Sequence, residues 1–520
     1  MMKSAIEEAH LAMMRRYLSL IAVIAVAGCA GESVTRTGCV AGLLITNATI
    51  VDGSGAPPVA GSVRVVNGSI AAIGELDRCD GDTVVDAHGQ ALAPGFIDTH
   101  SHAEEEIFEQ PDALPIISQG ITTVVAGQDG ESPYPLAEFY VKLEESPATI
   151  SFAAYVGHNT LRELVLRDDF RREATAAEIE EMQALLTDEL DSGAIGLSAG
   201  LEYEPGIHSS TDEIVALARI AAAAGGRYAS HVRSEDRWFE EAVEESILIG
   251  RETGMPVHVS HIKLAMTRLW GTAPQTLEKL DAARAEGIDI TADIYPYEYW
   301  QSSIMVLLPD RDPTDRAVIA DALEQIAPAD SIRMTKFEPD PDYVGKTLTE
   351  IAALREIDAI TAFTQIAEEA LAWKREHGSD GEMIIGTSML KSDIDELMSW
   401  PYTNICTDGG IVDRHPRARG SFPRVLGRFA RQEGLMPLAE VVRKMTSLPA
   451  ASMGFFDRGL IREGMVADLV LFDPDSIIDH ATALEPERLS TGVTKVWVSG
   501  ELVYEEGAAT GARPGTVIRR

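Results

Sequence analysis

The sequence predicts an α/β fold: a (β/α)8 TIM-type barrel with a small β-sandwich domain built from both chain ends and an insertion subdomain after strand seven. The main observation lies from Ala93 onward, where buried strand-like runs alternate with amphipathic helical stretches, as in parallel βαβ units. The chain of 520 residues is also long enough for such a barrel, which needs about 250 residues.

Eight strand candidates account for the barrel. They lie at residues 95–100, 122–126, 151–156, 194–198, 228–231, 256–261, 288–294 and 403–407. Helical stretches separate them, among them residues 176–192, 211–224 and 237–253. Because active sites in this architecture form at the carboxyl ends of the strands, the polar residues at those ends are the candidates for chemistry.

The chain ends and one long gap complete the predicted domain plan. Residues 43–93 and 459–520 contain short β runs with turn-rich connections, which predict two parts of one small sandwich. The gap between strands seven and eight is too long for a loop, so we expect residues 310–388 to form an insertion over the barrel mouth. The barrel then takes residues 94–309 and 389–458.

Composition excludes some classes of partner. The chain has 44 Lys and Arg against 82 Asp and Glu, a formal net charge of −38. Such an acidic surface repels the phosphate backbone, so no nucleic-acid partner is expected. Hydrophobic residues make up 45% and charged residues 24%, which is typical of a globular protein rather than a disordered one.

The first 29 residues predict a lipoprotein signal peptide. Arg15 and Arg16 precede an apolar run over residues 18–27 that is too short to span a bilayer as a helix. The run ends in Val-Ala-Gly-Cys, which resembles the lipobox of bacterial lipoproteins, whose cysteine (here Cys29) is lipidated. An ordinary export signal with a chance cysteine is the alternative. We therefore expect a protein held in the periplasm or at the outer membrane by its lipid alone, with residues 30–42 as a linker.

Export also affects the other cysteines. In an oxidising compartment Cys39 and Cys79 can pair and close the first β segment, and two free thiols are the alternative. Cys406 lies two residues before Asp408 and is expected to be a buried strand residue.

Polar residues end several of the predicted barrel strands. His100 and His102 close strand one, and residues two apart in a strand point to the same side. Other strands end in further residues of the same kind, namely His231, His261 and Asp408. Four histidines and an aspartate on one rim predict a metal site.

The distribution of lysine bears on how the metal is held. Many two-metal barrel hydrolases bridge their metals with a carboxylated lysine at the end of strand four. No lysine occurs between Lys142 and Lys263, so that bridge is excluded here. The available alternative is Asp129, in a Gly-Gln-Asp-Gly segment after strand two, although such an aspartate is also a common turn residue.

These residues carry a family resemblance. The stretch 94–102, Pro-Gly-Phe-Ile-Asp-Thr-His-Ser-His, is similar to the opening motif of the amidohydrolase superfamily. Residues 464–470, Gly-Met-Val-Ala-Asp-Leu-Val, resemble its C-terminal β segment. Within that superfamily, the chain resembles the D-aminoacylase (N-acyl-D-amino-acid deacylase) family over nearly all of residues 43–510. The other matching motifs lie at residues 157–162, 196–201, 260–263, 295–297, 415–417 and 420–427.

The resemblance implies a metal arrangement of one or two Zn²⁺ ions. A tight zinc would be held by Asp129, His231 and His261, whereas His100 and His102 would serve a second, weaker position. One departure bears on metal number and preference, because the family usually has cysteine in an Asn-Cys-Gly where this chain has aspartate. A carboxylate oxygen is a competent but harder zinc ligand.

The resemblance also implies the reaction. A metal hydroxide would remove the acyl group from N-acyl-D-amino acids, with Asp408 as general acid/base. The residues implied to bind the substrate's α-carboxylate are Lys263, Tyr295, Ser302 or Ser303, and Arg417. Arg417 is alternatively a surface residue of a basic loop, and His158 is expected to orient other groups or to be structural.

Two alternatives to this reaction stay open. The same chemistry would also suit D-dipeptides, cyclic amides or aryl and xenobiotic amides. Two departures from the family pattern leave this open: Asp129 in place of cysteine, and the segment from Tyr295 to Ser303. A lipid-anchored binding protein without catalysis would instead show a broken ligand set, and this chain keeps all of the ligand residues.

Overall fold

The computed structural model describes residues 39–520; the predicted signal peptide and Cys29 lie outside the described residues. The first described strands form a β segment. They are β1 (Leu43–Ile50), β2 (Val59–Val66), β3 (Ser69–Gly74), β4 (Thr83–Asp86) and β5 (Ala91–Pro94). β1 pairs antiparallel with β2 and parallel with both β4 and β5.

Parallel strands follow, as the alternating pattern predicted. They are β6 (Phe96–Asp98), β7 (Ile121–Ala126), β8 (Ser151–Ala154), β9 (Val156–Gly157), β10 (Gly196–Gly200), β11 (Arg227–His231), β12 (Val257–Val259) and β13 (Ile290–Ile294). Three antiparallel strands come next, β14 (Tyr299–Ser302), β15 (Ile332–Phe337) and β16 (Glu382–Thr387), and the last parallel strand is β17 (Thr403–Ile405). Each of the eight predicted strands overlaps one of these parallel strands.

The parallel strands form two hydrogen-bonded sheets, in the orders β6-β7-β8 and β9-β10-β11-β12-β13-β17. The third strand belongs to both, because the Tyr155 amide donates to Ala126 O and the Ile195 amide donates to Ala154 O. At the opposite ends of the two sheets, the Asp408 amide donates to His100 O at 2.9 Å. Hydrogen bonds therefore connect the two parallel sheets at both places.

Helices connect the strands and pack their apolar faces on them. They are α1 (Leu114–Ile117), α2 (Leu136–Glu145), α3 (His158–Leu166), α4 (Ala176–Asp191), α5 (Thr211–Ala223), α6 (Phe239–Thr253) and α7 (Ala273–Ala285). The start of α4 follows from its sequence, because Thr175 and Glu178 form a capping box. Short 3-10 turns lie at Ala103–Glu105, Arg167–Asp169, Gly206–His208, Thr267–Leu269, Ile304–Leu307 and Pro341–Tyr343.

The segment predicted to be an insertion contains antiparallel strands and three helices. Its strands pair in the order β14-β16-β15, and its helices are α8 (Arg316–Gln325), α9 (Leu348–Leu354) and α10 (Ala359–His377). Since Tyr299 in β14 pairs with Thr387 in β16, this antiparallel sheet begins before the predicted boundary at residue 310. The hydrophobic pattern alone placed that boundary too late, because β14 follows directly on the last inner strands.

The chain then returns to the parallel strands and to the first β segment. The helices are α11 (Lys391–Ser399), α12 (Arg417–Arg424), a π-helical continuation over Val425–Gln432, α13 (Leu438–Met445) and α14 (Ser447–Met453). The last strands are β18 (Leu469–Phe472), β19 (Val493–Val498), β20 (Glu501–Glu505) and β21 (Ala508–Ala509).

Strands from the two chain ends meet, as the sequence predicted. β18 pairs antiparallel with β5, with Leu469 opposite Pro94. The strand pairing gives one nine-stranded sheet in the order β21-β20-β19-β18-β5-β1-β2-β3, with β4 paired to β1. The predicted sandwich would instead have two sheets. A small core that includes Ile45, Leu471 and Trp497 lies against this sheet.

The cysteines agree with an oxidised N-terminal segment. Cys39 and Cys79 each take part in a disulfide bond, and Cys406 is a buried free thiol, as its predicted position in a strand implied. Within residues 39–520, no helix is both long and apolar enough to cross a membrane.

Candidate metal centre

The ends of the parallel strands bring the predicted ligands together. Single ligand atoms of His100, Asp129, His261 and Asp408 all lie within 4.8 Å of one another, and those of His231, Glu235 and His261 form a second such group. His261 belongs to both groups. The two groups, which together we call the cluster, therefore bring together predicted ligand residues that end or follow five different strands.

Distances within the cluster centre on His261. Its Nε2 lies 3.1 Å from His231 Nδ1 and 3.2 Å from Asp129 Oδ1. His100 Nε2 is 3.3 Å from Asp129 Oδ1 and 3.6 Å from Asp408 Oδ1. His102 lies at the edge, with Nε2 3.5 Å from Asp408 Oδ1.

Three of these residues have unusual backbone conformations. Asp129, His261 and Asp408 have φ values of 54°, 31° and 50°, in the left-handed region that side chains other than glycine rarely adopt. At His261 this conformation also explains why β12 ends two residues earlier than predicted, since the chain leaves the ladder to turn the imidazole inward.

Close backbone packing positions the Asp129 loop. A Cβ at Gly200 would lie 1.9 Å from Asp129 O, and a Cβ at Gly127 would lie 2.4 Å from Tyr155 O. The glycines let the loop settle directly on the strand ends. The Gly-Gln-Asp-Gly segment is therefore more than a turn, because it carries a carboxylate into the cluster.

Two carboxylates behind the histidines were not found by sequence reasoning. Glu202 Oε2 lies 3.0 Å from His231 Nε2, and Glu235 Oε1 lies 3.0 Å from His261 Nδ1. Carboxylates in such positions hold the far nitrogen of a metal-binding histidine and fix the ring. Their only sequence signal is a position just after a predicted strand end, which many of the chain's acidic residues share.

The charges of the cluster favour ionised carboxylates. Burial by itself would raise the pKa of Asp129, but the adjacent His100 and His261 hold it well below its usual range. Burial opposes ionisation of Asp408 too, and there Arg417, His261 and His100 outweigh it and lower the pKa. For His261, burial and Lys263 are outweighed by Asp129, Asp408 and Glu235, which raise its pKa to about 10.

The cluster fits a bound metal ion. His100 is fully buried, its Nδ1 has no hydrogen-bond partner within residues 39–520, and its Nε2 lies 3.3 Å from Asp129 Oδ1 without a well-oriented hydrogen bond. An unpaired buried imidazole is costly unless a ligand satisfies it. Histidine nitrogens together with carboxylate oxygens are the donors that zinc binds in catalytic sites.

The predicted carboxylate-binding residues lie beside the cluster. Lys263 Nζ and the Arg417 guanidinium carbon lie 5.5 and 4.9 Å from the centre of the Tyr295 ring. The Tyr295 hydroxyl and Arg417 Nε are buried without a hydrogen-bond partner among the described residues. Arg417 is 6% exposed and forms an ion pair with Asp408, so it is not a surface arginine.

The two candidate serines differ from each other. Both line the cavity above the cluster. Ser302 ends β14, whereas the hydroxyl of Ser303 bonds to Glu382 and accepts from the Met305 amide. The hydroxyl of Ser303 is therefore engaged in the structure of the insertion.

His158 and His415 support the site from outside the cluster. His158 Nε2 lies 2.8 Å from Glu213 Oε1, in a buried network that includes Arg162, which is the structural role expected of it. His415 was missed as a supporting residue: its Nδ1 accepts from the Arg417 amide at 3.0 Å. This contact holds the first turn of α12.

A cavity of about 1600 Å³ covers the cluster. Its floor includes His102, Asp129, His231, His261, Lys263, Tyr295, Asp408 and Arg417, and its upper part is lined by the insertion. Of the aromatic residues near the site, Trp300 lines the cavity, whereas Phe239 packs in the core. Residues of the predicted insertion therefore line part of the cavity that contains the predicted metal position.

A buried histidine and carboxylate cluster at parallel strand ends, beneath a cavity with basic side chains, defines a metal-dependent hydrolase. The sequence profile of the Amidohydrolase family matches residues 83–327 and 319–504. The chain belongs to this family, which confirms the prediction of an amidohydrolase.

Individual relatives show which members of this family the chain is similar to. The chain is 36% identical to an N-acyl-D-glutamate deacylase of Alcaligenes xylosoxydans xylosoxydans, over 92% of this chain and 96% of the relative. It is 35% identical to a D-aminoacylase of the same organism, over 92% and 97%. These matches confirm the resemblance to the D-aminoacylase family that the motifs indicated.

A solved structure supports the fold and the metal. The N-acyl-D-glutamate deacylase of Bordetella bronchiseptica, complexed with zinc and a phosphonate inhibitor, superposes with a TM-score of 0.82. It is 37% identical and is matched over 92% of this chain and 100% of its own. The prediction of zinc as the cofactor agrees with this relative and with the donor set described above.

Proposed function

We propose that the protein is a zinc-dependent deacylase that removes the acyl group from N-acyl-D-amino acids. The observation that carries the proposal is the position of Asp408, whose two carboxylate oxygens face the histidine cluster on one side and Arg417 on the other. One residue thus joins the metal ligands to the candidate carboxylate-binding group. We further propose that the eight parallel strands close into the barrel that the sequence predicted.

Asp129, His231 and His261 would hold the zinc ion, with His100 and His102 available to a second one. When bound, zinc polarises the scissile carbonyl and acidifies water. Glu202 and Glu235 orient the two histidines from behind. The strained backbone at Asp129 and His261 keeps the donor atoms in place before any ion binds.

Asp408 acts as the general acid/base in this proposal. Arg417 keeps its carboxylate ionised, so Asp408 can take a proton from the attacking water. It then gives that proton to the leaving nitrogen, which departs as a neutral amine. The amide hydrolysis is balanced: water adds to the carbonyl carbon, the C–N bond breaks, and the products are a carboxylic acid and an amino acid.

We propose that the α-carboxylate of the substrate is bound by Lys263, Tyr295 and Arg417. Ser302 is the better candidate of the two serines for a further contact, because the Ser303 hydroxyl is already hydrogen-bonded to Glu382. Arg417 Nε and the Tyr295 hydroxyl are unused donors, and both are buried. A carboxylate fixed by them beside the metal allows only one configuration at the α-carbon to present its amide to the metal. This is the physical basis for selecting D-amino acids.

A second candidate uses the same chemistry on larger amides. A cavity of about 1600 Å³ exceeds the roughly 300–1,000 Å³ of ordinary small-ligand sites. D-dipeptides, cyclic amides and aryl or xenobiotic amides would therefore also fit in it. Hydrolysis of these amides without hydrolysis of N-acyl-D-amino acids would support this candidate.

We also propose that the mature protein is exported and carries lipid on Cys29. The support is the sequence pattern of residues 14–29. Expression of the full chain and of Cys29→Ala in bacteria, with radiolabelled palmitate, tests it. Label on the full chain and none on the variant is the expected result, and equal label on both would overturn the proposal.

The test of the activity uses the chain without residues 1–29. Release of free amine is measured from paired N-acetyl-D- and N-acetyl-L-amino acids, before and after metal removal by a chelator. We expect zinc-dependent hydrolysis of the D series, loss of more than about 1000-fold in Asp408→Asn, and none in the exposed control Asp475→Asn. Bound zinc without hydrolysis of either series would overturn the deacylase assignment and leave a metal hydrolase.

A further inference from the structure

An apolar surface lines the part of the cavity that belongs to the insertion. We call it the apolar wall and define it by five residues, Met305, Val306, Val344, Leu371 and Met383. All five side chains are half-buried. They come from four separate segments: the turn after β14, the loop before α9, helix α10 and strand β16.

The convergence of these side chains is unusual. Other apolar residues of the insertion, such as Leu348, Ile351 and Phe363, are completely buried and belong to the main hydrophobic core. The wall residues are instead left partly exposed and face one space. Scattered exposed apolar residues need no explanation, but several half-buried apolar side chains that line one cavity can bind an apolar part of a ligand.

The cavity places this wall opposite polar anchors. Its floor carries the histidine cluster and the three carboxylate-binding candidates, Lys263, Tyr295 and Arg417. An amino acid held by its α-carboxylate on that floor fills only the lower part of a space of about 1600 Å³. The group on the far side of the scissile carbonyl is the one left to reach the wall.

A buried acidic residue near the wall does not prevent apolar binding. Glu382 is 3% exposed, and one of its oxygens accepts hydrogen bonds from Ser303 Oγ and from the Ile304 amide. Burial raises the pKa of this carboxyl to about 7 despite those hydrogen bonds. The charged side chains of Lys336 and Glu338 on the adjoining strand end are exposed to solvent.

The space continues beyond the wall. A second cavity of about 500 Å³ shares Thr335, Val344 and Arg414 with the first. It is also lined by Met334 and by Leu484, which is 70% exposed. At the junction Arg414 lies 3.7 Å from Glu487, so one surface ion pair stands between the two spaces. The two cavities therefore adjoin at these shared lining residues.

We propose that the apolar wall binds the aliphatic chain of the acyl group, so that the preferred substrates are D-amino acids acylated with medium or long unbranched chains. This inference rests on the proposed function and names the substrate class within it. Each methylene that the wall removes from water stabilises the bound substrate enough to raise kcat/KM about fourfold.

The experiment compares N-acetyl, N-hexanoyl and N-decanoyl derivatives of one D-amino acid. We expect kcat/KM to rise from acetyl to decanoyl by at least about 50-fold, the gain from about three fully buried methylenes. Leu371→Asp should lower the decanoyl-to-acetyl ratio about tenfold or more, because it places a charge where the chain packs. Leu354→Asp, on an exposed leucine of the neighbouring helix α9, is the matched control and should leave the ratio unchanged.

The outcomes separate the two proposals. Hydrolysis of N-acetyl-D substrates, with no increase in kcat/KM as the acyl chain lengthens, would refute the role of the apolar wall and support the deacylase function. A Leu371→Asp effect on the amino-acid side chain, D-leucine against D-alanine, with none on acyl length would also overturn it. If neither series is hydrolysed, calorimetric titration with decanoate still tests the proposal. The native protein should then bind decanoate at least tenfold more tightly than Leu371→Asp does. Equal affinities would refute the proposed role of the apolar wall.

Discussion

Glu202 Oε2 lies 3.0 Å from Nε2 of His231, while Nδ1 of the same ring faces His261 Nε2 at 3.1 Å. The carboxylate therefore fixes the ring so that Nδ1 is the nitrogen left for a metal ion. Glu202 is buried and lies in the turn that follows β10, two residues after the strand ends. It is a positioning residue that no motif in the sequence singled out.

Replacement of Glu202 by Gln should weaken zinc binding about 10- to 100-fold, because the imidazole loses the charged acceptor that holds it. Competition with a chromophoric chelator measures the affinity directly. Glu204→Gln is the matched control, since Glu204 pairs with Arg171 and His208 and not with the cluster. Equal zinc affinities in the two variants would contradict the role assigned to Glu202.

Asp129 should determine which metal the site prefers. Asp129→Ala removes a ligand and should lower zinc affinity more than about 100-fold, whereas Asp129→Cys should keep zinc and weaken manganese binding, because thiolate is the softer ligand. Equilibrium dialysis against both metals measures the selectivity. Asp168→Ala, at an exposed position on the cavity rim, should bind zinc as the native protein does. Unchanged zinc binding in Asp129→Ala would remove Asp129 from the ligand set.

Arg417→Lys should impair use of substrates that carry an α-carboxylate. Lysine keeps the charge but loses the planar pair of donors, which costs about 1.5–3 kcal/mol, or roughly 10- to 100-fold in kcat/KM. Steady-state kinetics with an N-acyl-D-amino acid and with its methylamide, which lacks the carboxylate, give the comparison. The native preference for the acid should shrink in the variant. An equal loss on both substrates would show that Arg417 acts through Asp408 alone.

Asp82 should stabilise the N-terminal β segment in a pH-dependent way. Its carboxylate accepts from the Gly42 and Cys79 amides and from Arg64 at 2.9, 2.7 and 2.7 Å. Burial opposes ionisation, but these donors lower the pKa of Asp82 to about 2. A lowered pKa stabilises the fold above the unfolded value near 3.8, and that stabilisation is lost as the pH falls towards 2.

The measurement for Asp82 is the thermal midpoint of Asp82→Asn and of the native chain at pH 7 and pH 3. The variant should unfold at a lower temperature at pH 7, and the difference should shrink at pH 3. Asp80→Asn, on an exposed neighbour, should match the native chain at both values. A difference that is independent of pH would mean that the ionised form of Asp82 contributes nothing.

The predictable part of the fold is the part with a strong local signal. Alternating buried strands and amphipathic helices predicted every parallel strand, and the capped start of α4 coincides with the predicted helix. The start of the insertion was harder to predict from the sequence. β14 is a strand only because it pairs with β16. Most of the insertion's residues lie between these two strands in the sequence, so no local pattern marks β14.

The residues of the site also divide into those that the sequence could predict and those that it could not. His100, His102, His231, His261 and Asp408 were predictable, since histidines are rare and these stand at strand ends. Asp129 was predictable only as an alternative, because its approach to the cluster depends on glycines packed on other strands. Glu202, Glu235 and His415 act through contacts made by tertiary packing. Acidic residues number 82 in this chain, so their composition gives no reason to choose two of them.

The most direct test of the account is anomalous diffraction at the zinc absorption edge from crystals of the zinc-loaded protein. We expect a strong peak within about 2.3 Å of Asp129 Oδ1, His231 Nδ1 and His261 Nε2, with a weaker second peak near His100 and His102 if two ions bind. A peak elsewhere, or none in crystals of protein that retains zinc in solution, would contradict the proposed metal centre.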